Sequence, residues 1–185
     1  DRFTHRPGTL AKNTAFFMTG NVLNLGINFI VNVIIARLMR VVDFGILNFS
    51  LSLSGLLAYL SDIGLNSLMI RNTSGDRSKL SLYVPSIVTL KFIVGLLFVV
   101  LVAVVVHLKN FKGGDALVVY MVALATLLLS NLAGTFLSVF AVLERFEVPA
   151  LIVVVDSLFY LTGVGLVCLY HGGITWIAFV FLVKA

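Results

Sequence analysis

Three ionisable residues, Asp62, Lys91 and Asp156, stand inside otherwise apolar stretches of the sequence. At the centre of a bilayer such a residue costs about 2.5–3.5 kcal/mol on insertion scales, so it normally faces a partner or a hydrated cavity. Two chemistries are open to carboxylates and an ammonium so placed. They can pair as ions, or a carboxylate can gain and lose a proton or cation between two conformations. The spacing predicts that Lys91 pairs with Asp62 or Asp156 and leaves the other carboxylate spare. A structural cluster and a site for a coupling cation (H+ or Na+) both remain open.

Amides form a second set. Asn21, Asn24, Asn28 and Asn32, with Thr14, fall within an arc of about 80° when laid out at 100° per residue. Unpaired amides facing hydrocarbon would lose several kcal/mol, so this row faces other helices or water. Interhelical hydrogen bonds, worth about 0.6 kcal/mol each, are one reading, and a cavity lining is the other. Asn48, Ser52, Gly55, Tyr59, Asp62 and Asn66 recur at alternating steps of four and three, which again marks one helical face. Two successive polar faces suggest an aqueous pathway shared between them. Asp156, Tyr160 and Gly163 share a third face, which puts Tyr160 beside the same expected cavity.

The elements that must carry these residues are membrane helices. Hydrophobic residues make up 60% of the 185, charged residues 11%, and the mean hydropathy is +1.11. Soluble domains run at about half and a quarter, so a water-soluble globule is excluded. Crossing a core of about 30 Å takes about 20 apolar residues. Helices are expected over about 13–38, 44–70, 82–108, 116–143 and 148–170, with a sixth beginning at 173–185. Residues 1–12 read as a cytoplasmic N-terminal segment and 13–185 as one all-α integral membrane bundle. The first segment is too long and too rich in asparagine for a cleaved signal core. No period-two alternation points to a β-barrel. Short connections predict that successive helices are antiparallel neighbours. Counted at 1.5 Å per residue, Asp62, Lys91 and Asp156 each lie about 12–14 Å from the cytoplasmic face, in one layer.

Charge distribution sets the orientation. With the N-terminus inside, Arg2, Arg6, Lys12, Arg71, Arg77, Lys79 and Arg145 are cytoplasmic, and Arg37, Arg40, Lys109 and Lys112 lie opposite. The net charge of +5 therefore reads as lipid-headgroup contact and orientation rather than nucleic-acid binding. Cys168 is a lone packing residue, and His5, His107 and His171 are scattered, so no metal site is expected. Ser130, Gly134 and Ser138 form a small-residue packing face. Pro85 sits early in its helix, and Tyr83, Tyr120 and Tyr170 read as interfacial anchors. No phosphate loop, zinc spacing or nucleophile–base set is present in the sequence, and neither an enzyme nor a cofactor is expected. The chain opens at Asp1 and ends in an apolar run, so it reads as part of a longer protein.

Several local patterns resemble a known family. They are Leu10-Ala11-Lys12-Asn13-Thr14, Ile35-Ala36-Arg37-Leu38, Phe44-Gly45, Ser61-Asp62-Ile63-Gly64-Leu65, Ile70-Arg71 and Leu143-Glu144-Arg145-Phe146-Glu147. In this order and spacing they resemble the polysaccharide-biosynthesis flippases of the multidrug/oligosaccharidyl-lipid/polysaccharide exporter superfamily. The resemblance runs from about Leu10 to Ala185. It implies a MATE-like N-terminal lobe of a transporter with about 12 to 14 helices in two pseudo-symmetric halves, the second lobe being its partner. It also implies passage of a lipid-linked oligosaccharide from the inner to the outer leaflet of the cell membrane by alternating access. Arg37, Arg71 and Lys91 are the candidate contacts to a phosphate headgroup. Arg37, however, points away from the asparagine row. A cation-coupled drug exporter of the same superfamily and a non-transporting scaffold subunit are the alternatives.

Overall fold

In lipid the backbone has no water to bond with, so an apolar chain of this composition satisfies its own amides in helices. The computed structural model describes residues 7–73, 77–143, 147–170 and 172–185. Among the described residues the regular structure is entirely helical. Its helices are α1 (Pro7–Leu38), α2 (Val41–Asp62), α3 (Leu65–Thr73), α4 (Leu80–Leu108), α5 (Gly114–Leu124), α6 (Asn131–Val142), α7 (Glu147–Leu169) and α8 (Ile174–Lys184). A 3₁₀ turn, Arg77–Lys79, leads into α4, and a π-helical turn, Ala125–Ser130, joins α5 to α6. Among the described residues, five stretches are long and apolar enough to cross a membrane: 18–38, 41–73, 80–108, 114–142 and 147–169. The eleven-residue α8 is a shorter apolar helix. The protein is therefore an all-α, multi-pass membrane bundle.

Two features depart from the sequence expectations. The second span is not one helix. It breaks after Asp62, where Ile63 (φ 29°) and Gly64 (φ 77°) take left-handed backbone before α3 resumes. Gly64 adopts this freely, but Ile63 is β-branched and carries a cost of order 1–3 kcal/mol there. The second departure concerns neighbours. α1 and α2 are joined by two residues, yet α1 packs mainly along α7 and touches α2 only slightly. A 32-residue helix is about 48 Å long, so a short connection fixes its end and not its length. Arg40 closes that corner by gripping Asp43 with two hydrogen bonds, Nε at 3.0 Å and a terminal nitrogen at 3.1 Å. The same contact raises the Arg40 guanidinium above its ordinary value, the hydrogen bond contributing most.

The middle of the bundle is mainly apolar. Val31, Ile35, Leu47, Val118, Val122, Leu127 and Ile177 are fully or almost fully buried together. α4 comes so close to the π-turn that a Cβ on Gly95 would stand 2.8 Å from the Leu127 carbonyl oxygen. A π-turn inserts a residue and redirects the chain. Ser130 is exposed while Gly134 and Ser138 are half-buried, with Gly134 facing the Asn66 amide. The expected small-residue face is thus only partly a packing face.

Candidate functional site

The intramembrane charges form two separate pairs. Lys91, on α4, is wholly enclosed and sits 2.6 Å from Asp62 Oδ1 at the end of α2. It also donates to Asn66 Oδ1 on α3 at 3.0 Å. Asp156, on α7, pairs with Lys184 on α8 at 3.5 Å, and the Lys184 ammonium lies 4.7 Å from the centre of the Tyr160 ring. Phe181 packs edge-on against Tyr160 at 5.8 Å. Of the two carboxylates open to Lys91, Asp62 is the one it meets, and Asp156 is not left spare, because Lys184 occupies it.

Lys184 was missed because the sixth segment looked merely cut short. The signal was countable. Asp156 lies nine residues into α7 and Lys184 ten residues into the antiparallel α8, so each is about 14–15 Å from opposite faces. In a core of about 30 Å they meet near the middle.

Within the asparagine row, Asn24 bridges α1 to α7, and Asn28 and Asn32 bond along α1 itself. Ser157, buried on α7, donates to Asn24 Oδ1 at 2.5 Å. Asn28 donates to Asn24 Oδ1 and to the Asn24 carbonyl, and Asn32 donates to the Asn28 carbonyl at 2.9 Å. Asn21 is half-buried on the same helix and Asn32 is exposed. On α2, Asn48 donates back to the Phe44 carbonyl at 2.9 Å. Ser52, Gly55 and Tyr59 are exposed, so the polar face of α2 lies on the outside of this lobe.

Among the described residues, no single cavity joins these polar faces. Asn24 bonds to α7, Asp62 opens on a cavity of about 470 Å³ lined by Tyr59, Leu60, Ile63, Gly64 and Ser67, and Asp156 opens on another of about 530 Å³ against Leu151, Phe159 and Val183. Apolar side chains separate these places, since α1 packs on α7 rather than α2.

The three cations offered for phosphate also part company. Lys91 is enclosed by Asp62 and Asn66 and presents no free edge. Arg37, in the last turn of α1, and Arg71, in the last turn of α3, are both exposed, but the full span of α2 lies between them. A helix of 22 residues is about 33 Å long, so the two cannot hold one headgroup. Lys12 and Thr14, the residues 1–6 and the Glu144-Arg145-Phe146 connection lie outside the residues whose side chains are described, as does His171. Among the described residues, no group of His, Cys, Asp or Glu is arranged to hold a metal.

In a multi-pass helical bundle, ionisable residues within the spans are costly and face partners, as these two pairs do. The model of a protein family described as polysaccharide biosynthesis protein matches residues 10–185. The chain belongs to that family, and at this level it is a polysaccharide-related transporter of the flippase type. Members of the family are in general transporters rather than enzymes. No curated protein and no solved structure matches the chain.

Proposed function

We propose that this lobe is one half of a flippase carrying a lipid-linked oligosaccharide or polysaccharide precursor from the inner to the outer leaflet of the cell membrane. The observation that supports this most is the exposed polar strip of α2, with Ser52 and Tyr59 leading to Asp62 at the helix break. Polar groups turned to hydrocarbon are costly, so the strip is read as one wall of a hydrated cavity closed by a second lobe. The route then runs between lobes and not through this one. Alternating access is the motion that such a two-lobed cavity permits. With the N-terminus cytoplasmic, Arg71 stands at the entrance for a phosphate headgroup and Arg37 at the exit, while Lys91 serves the helix break.

Both carboxylates are already paired with lysines. A coupling cation, H+ or Na+, would bind in this lobe only where one of those pairs opens. The test is deletion of the gene, with complementation by the full-length protein. Loss of surface glycan with build-up of the lipid-linked precursor inside the cell is the expected result. Unchanged surface glycan, together with new sensitivity to toxic organic cations, would favour the exporter reading instead.

A further inference from the structure

The break between α2 and α3 is built around one atom. α2 stops at Asp62, the chain turns through Ile63 and Gly64, and α3 starts at Leu65. A β-branched residue with φ of 29° does not stay there by preference, so surrounding contacts must hold it. The Lys91 ammonium provides such contacts from a third helix. It forms an ion pair with Asp62 Oδ1 at 2.6 Å before the break and donates to Asn66 Oδ1 at 3.0 Å after it. Its side chain is fully enclosed, whereas Ile63 and Gly64 are exposed beside the cavity of about 470 Å³. The clamp is therefore packed in place, and the hinge it spans has room to move.

Broken membrane helices commonly present free carbonyls and side-chain oxygens to a bound inorganic cation. Here an oxygen pair of that kind is filled by a cation belonging to the chain itself. We propose that Lys91 is a tethered cation that staples the two halves of the broken helix and couples their relative angle to α4. The ligand of the Asp62–Asn66 pair is thus a primary ammonium, and a small alkylammonium can replace it when the lysine is shortened. Asp62 and Asn66 are positioning residues in this scheme, acting on backbone geometry rather than on the cargo.

The test is a distance measurement and does not depend on what the protein carries, so it stands or falls apart from the flippase reading. Spin labels are placed at Leu60→Cys and Leu68→Cys, both exposed and on either side of the break, in the full-length protein lacking other cysteines, in lipid nanodiscs. The parent is expected to give one narrow distance distribution. Asn66→Leu removes only the acceptor on α3, and Asp62→Asn with Lys91→Met removes the staple without leaving a lone charge. Each should broaden the distribution about twofold or add a second population. Lys91→Ala should broaden it likewise, and n-propylammonium, but not n-propanol, should restore the narrow form. Parental widths in Asn66→Leu would overturn the proposal, even if the double variant fails to accumulate. A Lys91→Ala protein indifferent to n-propylammonium would overturn it too.

Discussion

Asp62→Asn should destabilise the protein far more than Lys91→Met, although the two remove opposite ends of one contact. The reason lies in which partner is enclosed. The Lys91 side chain has no exposure, while Asp62 keeps a third of its own, facing the cavity at the break. Removing one partner of a buried pair costs about 3–5 kcal/mol, because the other charge is left without compensation. Asp62→Asn leaves the enclosed ammonium in that position, and Asn66 alone remains to accept from it. Lys91→Met leaves a carboxylate that water reaches, and for an exposed partner the loss falls to about 1 kcal/mol. The difference of about 2–4 kcal/mol corresponds to roughly 30-fold to several-hundred-fold in the folded-to-unfolded ratio. The double variant should be more stable than Asp62→Asn alone, since it leaves no ion. Unfolding of the full-length protein in mixed micelles, titrated with sodium dodecyl sulfate, measures all three. Equal losses for the two single variants, or a larger loss for Lys91→Met, would refute the reasoning.

Other outcomes follow from the same geometry. Gly95→Ala drives a Cβ to 2.8 Å from the Leu127 carbonyl, and the resulting overpacking should cost about 1–3 kcal/mol in the same titration. Gly26→Ala, where nothing lies within 4 Å, should cost nothing and serves as its control. Asp156→Asn should be milder than Asp62→Asn, because its pair with Lys184 is longer, at 3.5 Å, and Lys184 keeps some exposure. If the N-terminus is cytoplasmic, a cysteine at Lys112 should react with an impermeant maleimide added to intact cells, and one at Lys79 should not. The reverse pattern would invert the orientation.

What could be read from the sequence was whatever depends on local composition. The spans follow from runs of apolar residues, because the cost of bare backbone in lipid leaves helices as the available answer. That Lys91 needed a carboxylate was legible, but the choice of Asp62 over Asp156 was not, since all three charges were counted to one depth. The partner of Asp156 was missed because Lys184 lies in the segment read only as the start of a sixth helix. The break at Ile63-Gly64 was hidden because hydropathy carries no record of backbone angle. Least legible was adjacency. Asn24 meets Ser157 across 133 residues of sequence, and only tertiary packing decides that α1 lies along α7. One amide of the row, Asn24, accordingly joins α1 to α7, while Asn28 and Asn32 bond within α1.

The central claim is that the full-length protein moves a lipid-linked glycan between leaflets, and leaflet accessibility measures this directly. Purified protein is placed in liposomes loaded with the lipid-linked precursor of the host's surface polysaccharide, and an impermeant glycosidase is added outside. Without the protein about half of the precursor is protected, as two equal leaflets require. With the protein, the protected half should become accessible within minutes, and the variant carrying Asp62→Asn should slow that exchange. Protection that persists beside correctly folded protein would contradict the account.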